Sequence, residues 1–184
     1  MPIFSGLRLV GGTGLALQFG HRKSIDIDLF GTLIADEFAM TNELAKLGAV
    51  SVIKSSQNIH IYSINGIKVD LVNFIYPWLE DLIVEDGIRI AHVKDIGALK
   101  MAAIAGRGTK KDFIDLYFLL QHYSLKELIG FYNAKYHDGS EFLVLKSLTY
   151  FEDANPEIEP LMLTPVPWVK IREEISRAQR EYLN

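Results

Sequence analysis

The chain predicts an α+β fold, a mixed sheet over residues 1–90 followed by a C-terminal helical lobe over 91–184. Three features lead there. Short runs of strict apolar–polar alternation, the mark of half-buried strands, crowd the first part of the chain. Asn65-Gly66 between two such runs is a strong hairpin signal. From Val93 onward apolar residues recur instead at helical spacing, so the boundary is expected near residues 87–92.

Taken in order, residues 7–10 read as a strand entering Gly11-Gly12. Residues 13–19 read as a short helix with Thr13 as N-cap. Residues 24–30, Ser-Ile-Asp-Ile-Asp-Leu-Phe, alternate strictly and predict a strand. Ile25, Ile27 and Leu29 would face a core, with Ser24, Asp26 and Asp28 on the other face. Residues 41–47 look helical, and strands follow at 51–54, 58–64 and 67–74, with a short one at 88–91. Helices are predicted over 93–105, 111–122, 125–135, 141–150 and 168–182, the last set off by a loop holding Pro156, Pro160, Pro165 and Pro167.

Composition excludes several classes. A length of 184 residues suits one domain or a domain with a small lobe, and 49% hydrophobic residues, with ten Phe and eight Tyr, provide a packed core. The net charge of −4 excludes a uniformly basic surface, so any nucleic-acid contact must be a local patch. The absence of cysteine excludes disulfides and thiolate metal sites and fits an expected cytoplasmic setting. Neither a signal-like N-terminus nor a run of about 18 apolar residues is present, so no membrane association is expected.

Aspartate is disfavoured in strands, so Asp26 and Asp28 need a reason. Alternate side chains on one face start about 7 Å apart, close enough to lean toward one cation. Without a cation they repel, and one pKa rises. Hard oxygen ligands favour Mg2+ or Mn2+. Two solvated aspartates on an edge strand are the plain alternative. A third carboxylate, Asp70, lies in another apolar strand whose register the hairpin sets, and it would converge with the pair if the sheet brings these strands together. Gly11-Gly12-Thr13 sits at a strand-to-helix junction, where backbone can approach a phosphate and the helix N-terminus offers free N–H groups. A tight turn is the alternative there.

In the helical lobe, Lys100 follows Ile96 by one turn and borders the apolar stripe, so it is expected to lean over a cleft; a snorkelling surface lysine is the alternative. Thr109-Lys110-Lys111-Asp112 has the capping-box pattern, so Asp112 either caps its helix or serves a site, and Asp115 repeats the carboxylate one turn later. His21 reads as a loop donor, not a metal ligand.

Apolar-Gly-Gly, thirteen residues, Asp-apolar-Asp-apolar, and a later apolar-Asp-apolar strand together resemble the DNA polymerase β-like nucleotidyltransferase superfamily. Within it, GGTGLALQFGHRKSIDIDLF and ALKMAAIAGRGTKKDFIDLYFLL closely resemble the AbiEii/AbiGii family, nucleotidyltransferase toxins of type IV toxin–antitoxin and phage-defence systems. Many members carry helices ahead of the glycines, where here only ten residues precede them. The resemblance implies transfer of NMP from an NTP to an acceptor hydroxyl, with Mg2+ (or Mn2+) as cofactor and pyrophosphate leaving. It places Gly11, Gly12, Thr13, Ser24, Lys100 and Arg107 on the nucleotide. It gives the metal to Asp26, Asp28 and Asp70, with Lys100 and Asp112 completing the catalytic set, and Asp115 matches the helical-lobe motif alongside Lys100, Arg107 and Asp112. A cognate antitoxin is the implied partner. The acceptor is expected to be RNA, tRNA foremost, because His21-Arg22-Lys23 and Arg107, Lys110 and Lys111 would flank the acidic centre. A small-molecule (antibiotic-type) nucleotidyltransferase and a non-catalytic nucleotide-binding module are the alternatives.

Overall fold

The computed structural model describes all residues, 1–184. Strand β1 (Leu7–Leu9) enters helix α1 (Gly11–Phe19), and β2 (Ile27–Gly31) returns antiparallel to β1. Helix α2 (Glu37–Ala45) precedes a meander of β3 (Val50–Ser55), β4 (Ile59–Ile64) and β5 (Ile67–Asn73). A hairpin of β6 (Ile83–Glu85) and β7 (Ile88–Ile90) closes the sheet, whose order is β3-β4-β5-β2-β1-β7-β6. Two pairings are parallel, β5 on β2 and β7 on β1, so the sheet is mixed. Helices α3 (Val93–Gly106), α4 (Lys110–Leu119), α5 (Leu125–Lys135), α6 (Glu141–Ser147) and α7 (Trp168–Leu183) follow. The α+β architecture is therefore the predicted one.

The two-residue turns of the β4–β5 and β6–β7 hairpins use left-handed residue pairs, Asn65 (φ 50°) with Gly66 (φ 85°) and Asp86 (φ 49°) with Gly87 (φ 77°). The second is an Asp-Gly signal that also marks the unpredicted β6. Helix α2 starts earlier than its periodicity indicated, because Asp36 accepts from Ala39 N at 2.8 Å and caps it. Helix α1 likewise starts at Gly11, not Thr13, and its N-cap Val10 supplies no side-chain acceptor. The Thr13 hydroxyl instead donates to the Asp26 carbonyl and meets Ser24 Oγ at 2.9 Å. Ile25 was expected in a core; it is 75% exposed, because the ladder begins only at Ile27 and alternation has no meaning before it.

Apolar alternation gives the sheet one face packed under α2, with Leu7, Tyr62, Ile64, Val69 and Leu71 against Met40 and Leu44. The larger core lies among the helices, where Val10 and Leu15 join Ile96, Met101, Phe113, Leu116 and Leu128. One ion pair is sealed within this assembly. Lys135 and Asp95 are both fully buried and lie 2.6 Å apart. Lys135 also donates to Pro77 O, and Asp95 accepts from Leu79 N and Glu80 N, so α3 and α5 together pin the loop after β5. Asp95→Ala leaves a buried lysine unpaired and is expected to cost about 3–5 kcal/mol in urea unfolding. A loss under about 1 kcal/mol would show that the loop does not depend on the pair.

Candidate active site

The parallel register of β2 and β5 sets Asp28 directly beside Asp70. Both side chains lie on the face opposite the α2 core, as alternation requires. Burial and the neighbouring Asp70 carboxylate push the Asp28 carboxyl above its ordinary value, against the pull of Lys100, Lys68 and Arg107. Lys68 Nζ lies 2.6 Å from Asp70 Oδ2, while Asp70 Oδ1 is buried with no hydrogen-bond partner. An orphaned carboxylate oxygen beside a second carboxylate is a donor set that suits a hard divalent cation.

Asp26 does not join them. It precedes β2, its carboxylate is 3.7 Å from Lys111 Nζ, and no group of three acidic or imidazole side chains closes into a metal-ligand cluster. The expected three-way convergence is thus a pair plus a third carboxylate held aside by a lysine.

Gly11 adjoins the pair. Its φ is +64°, and an added Cβ would fall 2.0 Å from Asp28 Oδ2, so conformation and space both demand glycine. The amides of Gly11, Gly12 and Thr13 open α1, where no intrahelical acceptor is available to them. They are placed to meet an anion next to the carboxylates.

Behind this turn lies a buried ionic cluster. Asp115, fully buried, receives Lys100 Nζ at 2.5 Å, His21 Nε2 at 2.8 Å and the Arg22 fork at 2.7 and 2.8 Å. Asp112, also fully buried, receives Lys100 Nζ at 3.0 Å and Arg107 Nε at 2.9 Å. Burial alone would raise both carboxyls, but Lys100 with Arg107 and Thr109 holds Asp112 far below the usual range. Lys100, Arg22 and His21 do the same for Asp115.

These contacts revise several expectations. Lys100 does not lean over an open cleft; its side chain is 5% exposed and two carboxylates occupy its ammonium. Asp112 both caps α4, in a capping box with Thr109, and pairs with cations. His21 is a hydrogen-bonding partner, as expected. His21 and Arg22 are buried, however, and so is Lys110, which donates to Asn155 O and Glu157 O. None of these three forms a basic surface, because each satisfies an internal acceptor. Lys68, Arg107 and Lys111 are exposed cations beside the carboxylates, and Lys23 is exposed next to Arg22. Asp115, the centre of the cluster, was legible in the sequence as a carboxylate one turn beyond Asp112 and as a match to the family's helical-lobe motif, but not as the point where the buried cations meet.

A mixed sheet with two carboxylates on neighbouring strands, beside a glycine-headed helix, fits a nucleotidyltransferase, and the family match shows that class. The family model described as "Nucleotidyl transferase AbiEii toxin, Type IV TA system" matches residues 2–183, and the chain belongs to that family. An uncharacterized protein of Aquifex aeolicus is 38% identical over 193 residues, covering all of this chain and 91% of that one. The structure of JHP933 from Helicobacter pylori shares the fold, with a TM-score of 0.59, 17% identity, and coverage of 96% of this chain and 83% of that one. So does the nucleotidyltransferase toxin MenT4 of Mycobacterium tuberculosis, with a TM-score of 0.59, 12% identity, and coverage of 94% and 74%. Family membership implies an NTP substrate, a divalent metal of unspecified identity and a cognate antitoxin. No helix is long and apolar enough to cross a membrane.

The cluster gives the protein an acid limit. Both carboxyls lie below their unfolded value, so their stabilisation is complete above pH about 4 and is lost as pH falls beneath it. Urea unfolding across pH 2–5 is expected to show Asp112→Asn flattening this slope, by up to about 1.4 kcal/mol per pH unit. An unchanged slope would remove Asp112 from the acid response.

Proposed function

We propose that the protein transfers NMP from an NTP to a hydroxyl of RNA, tRNA foremost, with Mg2+ or Mn2+ held by Asp28 and Asp70 and with Asp26 at the strand entrance. The observation that supports it most is the Asp28–Asp70 register, with its orphaned oxygen, beside the first amides of α1. Bound there, the metal would draw charge from the α-phosphate and the departing pyrophosphate. Gly11, Gly12 and Thr13 would receive the phosphates on their amides, with Ser24 close by through Thr13. Asp70 would orient or deprotonate the acceptor hydroxyl as the hydroxyl oxygen bonds to the α-phosphorus, the α–β phosphoanhydride breaks and pyrophosphate leaves. Arg107, whose side chain is 61% exposed, would reach phosphate directly, whereas Lys100 would act from behind by holding Asp112 and Asp115. In this reading residues 1–90 carry the carboxylates and glycines, and the lobe over 91–184 braces them.

RNA is favoured over a small acceptor because Lys68, Arg107 and Lys111 are exposed beside the carboxylates and Lys23 is exposed next to Arg22, a local concentration of positive charge in a chain of net charge −4. The protein would act in the cytoplasm within a toxin–antitoxin or phage-defence pair. The test is incubation with each α-labelled NTP, Mg2+ and total RNA. Label on RNA is expected, falling at least about 1,000-fold in Asp28→Asn or Asp70→Asn. Label confined to a small molecule would sink the RNA reading. Mg2+ and NTP together should raise the melting temperature more than either alone, by linkage, and Asp28→Asn should abolish that synergy. Replacing Lys23 and Lys111 by Ala should lower the salt slope of RNA binding by about one per lysine while sparing NTP affinity. Lys110 is unsuited to this test, since its loss breaks a buried contact.

A further inference from the structure

Arg22 read as part of a basic loop, yet it is 3% exposed. Nε and Nη2 grip the two Asp115 oxygens in a fork, and Nη1 donates to Lys23 O at 3.2 Å. Its backbone is held as well. Arg22 bridges Met162, Lys23 N donates to Leu161 O at 2.8 Å, and Leu163 N donates to His21 O at 2.9 Å. Such a guanidinium cannot swing aside. A Cβ on Gly12 would fall 2.2 Å from Arg22 Nη2. Gly12, unlike Gly11, has no positive φ, so its backbone tolerates any residue. What requires glycine at position 12 is the guanidinium lying against the first turn of α1.

We propose that Arg22 is a positioning residue for the phosphate site: clamped by Asp115, it fixes the turn at Gly12 and sets positive charge behind the amides that open α1. The proposal rests on the nucleotide-binding reading above. The cluster has three permanent cations, Lys100, Arg22 and Arg107, against the two carboxylates Asp112 and Asp115, which leaves one net positive charge beside the turn. Fixed charge in a dry site needs no reorganisation when the anion arrives. Only the planar fork of arginine can hold both Asp115 oxygens while pressing on Gly12.

The test measures the affinity of wild type, Arg22→Gln, Arg22→Lys and Gly12→Ala for the four NTPs, for inorganic tripolyphosphate and for nucleosides, alongside melting temperature and a KM-against-kcat split. Arg22→Gln is expected to weaken NTP and tripolyphosphate binding about tenfold and to raise KM, with nucleoside binding unchanged. Arg22→Lys should recover part of the loss. Gly12→Ala keeps every charge and should reproduce the defect alone, yet add less than about twofold in the Arg22→Gln background, because the two act through one contact. If Arg22→Gln does not fold, Gly12→Ala and Arg22→Lys carry the comparison. A lowered melting temperature with triphosphate affinity and KM within about twofold of wild type would make Arg22 purely structural and overturn the proposal. Wild type that binds tripolyphosphate but transfers no nucleotide overturns the transfer reading and leaves the Arg22 assignment standing; wild type that binds neither overturns both.

Discussion

A carboxylate with no access to water must be matched by cations, and Asp115 is the point where this constraint organises the molecule. Its partners come from three places, His21 and Arg22 in the loop after α1, Lys100 in α3, and through Lys100 the Asp112 carboxylate of α4. Satisfying one side chain therefore ties the helical lobe to the glycine turn. Removing Asp115 itself would leave the buried Lys100 and Arg22 short of a partner in a dry interior, at a cost of several kcal/mol. The cluster thus specifies where α3, α4 and the loop lie relative to one another, which apolar packing of Ile96, Phe113 and Leu116 alone leaves looser.

The contrast with the other acidic pair is informative. Asp112 and Asp115 are over-supplied with cations, and their carboxyls are held down. Asp28 is half-buried beside Asp70, and its carboxyl is pushed up. The same residue type, at the strand pair, is left under-compensated. A protein that needed these aspartates only for structure would have neutralised both pairs. Uncompensated charge persists where a ligand completes it, and perturbed carboxyls of this kind concentrate at functional sites. The stable cluster behind the glycines offsets the repulsion in front of them.

Much of the fold was legible in local pattern. Strict alternation and Asn65-Gly66 located the meander, helical spacing located the lobe, and the two motif blocks named the family that the whole-length match bears out. The misreadings have local causes. Alternation was extended past the ladder to Ile25, and Thr13 was read as a cap although its hydroxyl turns to Asp26 and Ser24. The Asp86-Gly87 turn was overlooked because β6 and β7 are only three residues long each.

What the sequence by itself determined is the inventory of the candidate site: two glycines before a helix, an Asp-x-Asp segment, a further strand aspartate, and in the helices a lysine and two aspartates. Such patterns are set by backbone geometry within a few residues, so they survive without any knowledge of the fold. Only the tertiary structure decided which of these charges are free. Asp28 and Asp70 meet because two strands pair in parallel register, while Asp26 turns to Lys111. His21 and Arg22, expected at the surface, vanish into the interior to reach Asp115, more than ninety residues away along the chain. Pairing and burial are properties of segments that meet in space, and a buried carboxylate, unable to find water, takes whichever cations the fold brings to it.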